Sequence, residues 1–170
     1  MNFRKVNNID GFFRKISEEF DEEEYLENQK TYEDSPNYQY SVNRLKRQWG
    51  LSDEEINNYI RPLTLPNGEL CYLQRLVNKP KIQTIHLNEN KIIGWFVWDD
   101  YNTAKYTKHN VLIIWGESIN AIEVNPEYQN MGIGEAMIQF AMDITNKTSI
   151  HIIGPQTEEG KRLFDKFNKI

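Results

Sequence analysis

Between Ala121 and Met137 the chain reads Ala-Ile-Glu-Val-Asn-Pro-Glu-Tyr-Gln-Asn-Met-Gly-Ile-Gly-Glu-Ala-Met, a run whose residue types suit the binding of an anion. A short apolar strand runs into Pro126, and a loop with Gly132 and Gly134 leads to a helix. Ile133, Ala136, Met137, Phe140, Ala141 and Ile144 recur at the spacing of one buried helical face. A helix start leaves about four backbone N–H groups without internal partners and carries the positive end of the helix dipole. Glycine at that point removes the side chains that would hold a phosphate at a distance. The spacing is not Gly-x-x-x-x-Gly-Lys-Ser/Thr, and Met137 stands where Gly-x-Gly-x-x-Gly requires its third glycine, so neither nucleotide motif fits. The alternative is that both glycines merely make a tight strand-to-helix turn.

Gln129-x-x-Gly132-x-Gly134, preceded by Val124-x-Pro126-x-Tyr128, resembles the acetyl-CoA motif of the GNAT superfamily of N-acyltransferases. The resemblance covers roughly residues 82–168, and over residues 1–66 it rests on the order of elements alone. It implies acetyl-CoA, or another acyl-CoA, as co-substrate. The pyrophosphate would lie on the N–H groups of Asn130, Met131, Gly132, Ile133 and Gly134. The pantetheine arm would run along the cofactor strand on backbone groups of Ile122 to Val124, with Gln129 orienting the loop. Thr157 and Phe164, at positions where the family often has an asparagine and a tyrosine, join the cofactor side.

Transfer to an amine needs the neutral amine, and an alkylamine with a pKa near 10.4 is mostly charged at pH 7. A carboxylate, directly or through water, is the usual remedy. Glu123 on the cofactor strand is the first candidate for the catalytic base and Glu117 the second; the bland alternative for Glu123 is an exposed strand glutamate. His86, His109 and His151 have no metal-like spacing, and His151 on an apolar strand is read as packed rather than catalytic. No metal is expected.

Departures from the family pattern define the competing reading. Phe164 cannot protonate a departing thiolate as the family's tyrosine can. The sequence ends at Ile170 without the family's final hairpin, which implies a sheet edge for a second copy or an early segment to cover. The main expectation is an N-acetyltransferase acting by direct transfer on a primary amine of a small molecule or protein. The alternative is a non-catalytic acyl-CoA-binding or protein-interaction module.

A chain of 170 residues fits one domain. Cys71 is the single cysteine, so an intrachain disulfide is impossible. No leader-like apolar run follows Met1, and no stretch approaches the roughly 18 apolar residues of a membrane span. A cytoplasmic location, no membrane contact and a possible homodimer are expected. The net charge of −5 argues against a nucleic-acid partner and mildly favours cationic amines.

The elements that must position the motif follow in order. A short strand over residues 1–8 precedes a helical stripe of Ile9, Phe12, Phe13, Ile16 and Phe20, capped by Asp10. The acidic run from Glu18 to Glu27 reads as a solvated helix face, with a negative wall beside an acceptor entrance as the alternative. Glu33 to Tyr40 reads as a loop, and Tyr32 just before it with Tyr38 and Tyr40 within it lie on the surface, in the core or near an acceptor. A helix from about Val42 stops at Gly50, and Ser52 to Glu55 forms a capping box for another that ends at Arg61-Pro62. Strands are predicted at 70–77, 82–87, 92–98, 111–115, 120–124 and 150–153, with a last helix carrying Leu163, Phe164 and Phe167 inward. The expected fold is α/β: a mixed, mostly antiparallel central sheet flanked by helices, in a single GNAT-like domain over 1–170. Residues 1–66 would be the mainly helical acceptor side, and 67–170 the sheet and acetyl-CoA-binding part.

Overall fold

The computed structural model describes residues 22–99, 111–115, 121–154 and 157–167. The strand and helical stripe predicted before residue 21, together with His109 and Glu117, lie outside the described residues. Helix α1 (Glu22–Asp34) and helix α2 (Pro36–Trp49) come first. The segment Glu33 to Tyr40 is therefore not a loop but the end of one helix and the first turn of the next. Ser35 is extended and its hydroxyl accepts the Tyr38 N–H at 3.3 Å, while Pro36 occupies the helical position where a missing N–H costs nothing. At the other end Gly50, at φ +65°, closes α2 as its sequence position predicts. Glu23 and Glu27, the residues of the acidic run whose side chains are described, are exposed on α1.

The capping box forms: Ser52 N–H donates to the Glu55 carboxylate at 2.9 Å, and Glu55 N–H to the Ser52 hydroxyl at 3.1 Å. It starts only one tight 3-10 turn, Glu55–Asn58, before strand β1 (Ile60–Thr64). The predicted continuation of the helix through Ile60 thus gives way to a strand. Pro62 has no N–H with which to extend a helix, and it is tolerated in a strand at the end of the sheet.

The remaining strands are β2 (Leu70–Arg75), β3 (Lys81–His86), β4 (Lys91–Val97), β5 (Val111–Trp115), β6 (Ile122–Val124) and β7 (Ser149–Ile153). Helices α3 (Ile133–Thr145) and α4 (Glu158–Asp165) complete the set. The main sheet has the order β1-β2-β3-β4-β6, and β5 pairs with β7 in a parallel two-stranded sheet. A mixed α/β architecture with an antiparallel five-stranded sheet is what the sequence predicts.

The chain divides into two compact units, Met1–Gln74 with Ile85–Ile92 and Arg75–Thr84 with Ile93–Ile170. In the first, Tyr32 of α1 is buried and its hydroxyl donates to the carbonyls of Leu63 and Cys71, tying the helix to both β1 and β2. Its ring lies 5.3 Å from that of Tyr38, which meets Tyr72 edge-on at the same distance. Tyr32 is thus a core residue, whereas Tyr40 is exposed. Cys71 is fully buried, and burial pushes its thiol up to about 12, with the Glu69 carboxylate adding to the effect. His86 is buried too; one ring nitrogen meets Glu69 at 2.7 Å and the other accepts the Glu89 N–H at 3.1 Å.

In the second unit α3 buries Ile133, Met137, Ile138, Phe140, Ala141 and Met142. The buried arc is wider than the predicted stripe: Ile138 and Met142 join it, while Ala136 and Ile144 are only half-buried. His151 is exposed on β7, contrary to the packed histidine expected there, because β7 alternates and His151 takes its open side. Thr84 is fully buried and its hydroxyl has no hydrogen-bond partner. A desolvated hydroxyl left unpaired costs about 1–3 kcal/mol, which a methyl group of the same shape avoids. Thr84→Val is therefore expected to raise unfolding stability by about 1–2 kcal/mol in urea denaturation; a loss of stability would contradict this account of Thr84.

Candidate functional site

The candidate site grows from the end of β6. This strand pairs antiparallel with β4 through Gly94↔Val124, Trp95↔Glu123 and Phe96↔Ile122. Two further bonds frame the ladder, Val97 N–H to the Ala121 carbonyl at 2.7 Å and Asn125 N–H to the Ile93 carbonyl at 2.8 Å. Ala121, Glu123 and Asn125 thus turn their main-chain groups toward β4. By alternation those of Ile122 and Val124 point to the opposite edge. Strand β6 is last in the sheet, and β7 pairs with β5 instead, so no described strand occupies that edge. Asp99, two residues beyond the end of β4, bridges to Ile113 of β5.

At Asn125 the strand becomes a single tight turn, Pro126–Tyr128, capped by the Asn125 side chain on the Glu127 N–H at 3.0 Å. The Gln129 side-chain amide then donates to the Val124 carbonyl at 3.1 Å, clamping the loop to the strand it has just left. From there φ changes sign at each step: −69° at Gln129, +65° at Asn130, negative at Met131, +84° at Gly132. Left-handed residues on either side of Met131 belong to the kind of turn whose successive N–H groups can form an anion-binding concavity. The first bond of the following helix is Ala136 N–H to the Gly132 carbonyl at 3.0 Å. The amides of Ile133 and Gly134 precede it and have no helical carbonyl to bind, at the positive end of the dipole.

The two glycines have different physical reasons. A Cβ on Gly132 would meet nothing within 4 Å, so only its positive φ demands glycine, and the space above the loop is open. A Cβ on Gly134 would stand 3.0 Å from a Leu163 methyl of α4 and 3.4 Å from the Ile122 methyl of β6. Gly134 therefore lets the first turn of α3 seat against strand and helix together. Gly94, which sequence reading passed over, does the same from β4: its Cβ would lie 3.1 Å from the Glu123 carbonyl and 3.4 Å from Ile133. An isolated glycine inside a strand pattern is the signal that could have found it.

The remaining predicted residues fall as follows. Glu123 is exposed, Ile122, Val124 and Met131 are half-buried, and the Ile133 side chain is buried in the core. The Thr157 hydroxyl caps α4, accepting the Gly160 N–H at 3.0 Å. Phe164 is buried, as a phenylalanine without a polar group can be. Residues 122–134 thus run from strand through loop to helix, with Leu163 of α4 against Gly134. Among the described residues no group of three His, Cys, Asp or Glu side chains could hold a metal ion, and no helix is long and apolar enough to cross a membrane.

Adding a methyl group at Gly134 should force Leu163 aside and lower stability by about 1–3 kcal/mol. In a double-mutant cycle, Leu163→Ala should cost less in the Gly134→Ala background than alone; strict additivity would mean the two do not touch.

Comparison with known proteins fits this geometry. The sequence profile of the family described as Acetyltransferase (GNAT) family matches residues 47–158, more than half of the chain and all of the strand, loop and helix just described. No curated protein matches the chain. With the profile match and the fold in agreement, the chain belongs to the GNAT family of acetyltransferases.

Proposed function

We propose that the protein is an N-acetyltransferase that moves an acetyl group from acetyl-CoA to a primary amine of a small molecule or protein by direct transfer. The observation that carries this reading is the loop from Gln129 to Gly134, where alternating φ and an uncapped helix start gather amides beneath open space. Asn130, Met131, Gly132, Ile133 and Gly134 would hold the pyrophosphate through backbone N–H groups. Main-chain groups of Ile122 and the Val124 N–H would bind the pantetheine arm as an added strand, Gln129 having already taken the Val124 carbonyl. Acetyl-CoA supplies its acetyl group as a thioester, which an amine nitrogen opens with formation of the amide and release of the thiol.

Glu123 is the carboxylate on the strand itself, and its exposure lets it take the ammonium proton directly or through one water. Direct transfer, rather than passage through an acyl-cysteine, is supported by Cys71: it is the one cysteine, it is fully buried, and its thiol is pushed up to about 12. Phe164, buried and without a hydroxyl, favours the second reading of an acyl-CoA-binding module without turnover. In the catalytic reading the departing thiolate takes its proton from solvent.

Calorimetric titration with acetyl-CoA, followed by a free-thiol assay with amines, separates these readings. Gly132→Asp keeps a residue type that tolerates positive φ but brings a negative charge into the loop. It should weaken acetyl-CoA binding at least about tenfold, equivalent to about 1.4 kcal/mol, and unchanged affinity would displace the site. Glu123→Gln should lower kcat/KM by about 10²-fold near neutral pH. The deficit should shrink as pH approaches the acceptor's own pKa, near 10.4 for an alkylamine. A pH-independent, full rate would remove Glu123 from the mechanism.

A further inference from the structure

Trp95 and Glu123 are direct partners in the β4–β6 ladder, so their side chains stand side by side on one face of the sheet. Gly94 and Val124, the next pair, take the other face, where α3 lies against Gly94. Lys81 of β3 reaches onto the Trp95 face, with Nζ 5.6 Å from the ring centroid. A cation, an aromatic plate and a carboxylate therefore lie in sequence across β3, β4 and β6. Lys81 and Trp95 are half-buried and Glu123 is exposed, so each of the three keeps some accessible surface. Neither Lys81 nor Glu123 has an ion-pair partner among the described residues. The indole holds the Lys81 ammonium over its face in a cation–π contact.

Resting on the reading of amine acetylation above, the geometry points to an acceptor class: an amine that carries an anionic group, a carboxylate or phosphate, several bonds away. Its anion pairs with Lys81, its chain lies on the Trp95 ring, and its amine meets Glu123. Strands two places apart in a sheet are about 9–10 Å from one another, and Lys81 reaches inward from β3 over the Trp95 ring, so a chain of up to about five methylenes with its end groups bridges the two charges. Lys81 at this position repels a diamine and gives a plain alkylamine nothing to bind at its far end.

The test is calorimetric binding of three probes to the full chain in the presence of CoA: aminohexanoate with the amine at the far end, hexylamine, and diaminohexane. The native protein should bind the amino acid at least about tenfold more tightly than either amine. Lys81→Gln should bring that ratio near one, and Lys81→Glu should reverse it in favour of diaminohexane. Trp95→Phe should keep the order of preference that Trp95→Ala weakens, and thermal melting of each variant reports whether it is folded. Equal ratios in the native protein and Lys81→Gln, tightest binding of diaminohexane by the native protein, or binding of none of the three would overturn the proposal. The acyl-transfer reading fails separately: Lys81-dependent binding without amine-stimulated thiol release would leave the dipolar-ligand site standing and remove the transfer.

Discussion

Everything at the candidate site depends on how closely the first turn of α3 sits on the strands beneath it. Two absent side chains allow that approach. Gly94 leaves room between β4 and the Ile133 and Met137 side chains, and Gly134 leaves room for Leu163 and the Ile122 methyl. A Cβ at Gly94 would crowd the Glu123 carbonyl at 3.1 Å and Ile133 at 3.4 Å. One at Gly134 would crowd Leu163 at 3.0 Å and Ile122 at 3.4 Å, so either would disturb the seating of the helix. The loop between strand and helix would then lose the fixed span that sets its alternating φ values. Packing density under the helix is thus what aims the amides above it. The apolar face of α3, from Ile133 to Met142, supplies the burial that keeps this arrangement in place.

A second constraint acts along the sheet. Strand β6 is short and, among the described strands, pairs on one side only, with its far-edge main-chain groups directed away from β4. An unpaired edge is normally a liability. Here the tight turn at Pro126 and the Gln129 clamp on Val124 end the strand after three residues, so the edge is too short to template another sheet but long enough for an extended ligand. The buried Cys71 lies in a different kind of region, where the Tyr32 hydroxyl is spent on main-chain carbonyls and the Tyr72 hydroxyl pairs with that of Ser41.

Much of the site was legible because glycine, proline and amide positions in a loop have few physical explanations. Gln129, Gly132 and Gly134 declared a strand-loop-helix turn, and the helix stripe placed its buried side. The sequence could not say that the two glycines serve different ends, since only neighbours in space reveal that Gly132 is open and Gly134 crowded. Helix ends were readable where a cap has a distinctive residue, as at Gly50 and Ser52. The Ser35-Pro36 pair read as a loop because the same residues that break one helix begin the next. Strand β1 was hidden by Pro62, which argues against a strand everywhere except at the edge of a sheet. His151 shows the limit of local pattern: apolar neighbours suggested a packed ring, but which side of β7 is open depends on what lies across it.

The central claim is that the backbone amides between Asn130 and Gly134 hold the anionic part of an acyl-CoA. Amide-resolved NMR during titration with CoA tests it without requiring turnover or an acceptor. The account predicts that the largest N–H shifts fall on residues 130–134, with smaller ones at Ile122 and Val124, and that they saturate together. Shifts centred elsewhere, or none at all, would mean that the glycine loop is only a turn and that the site lies in another part of the chain.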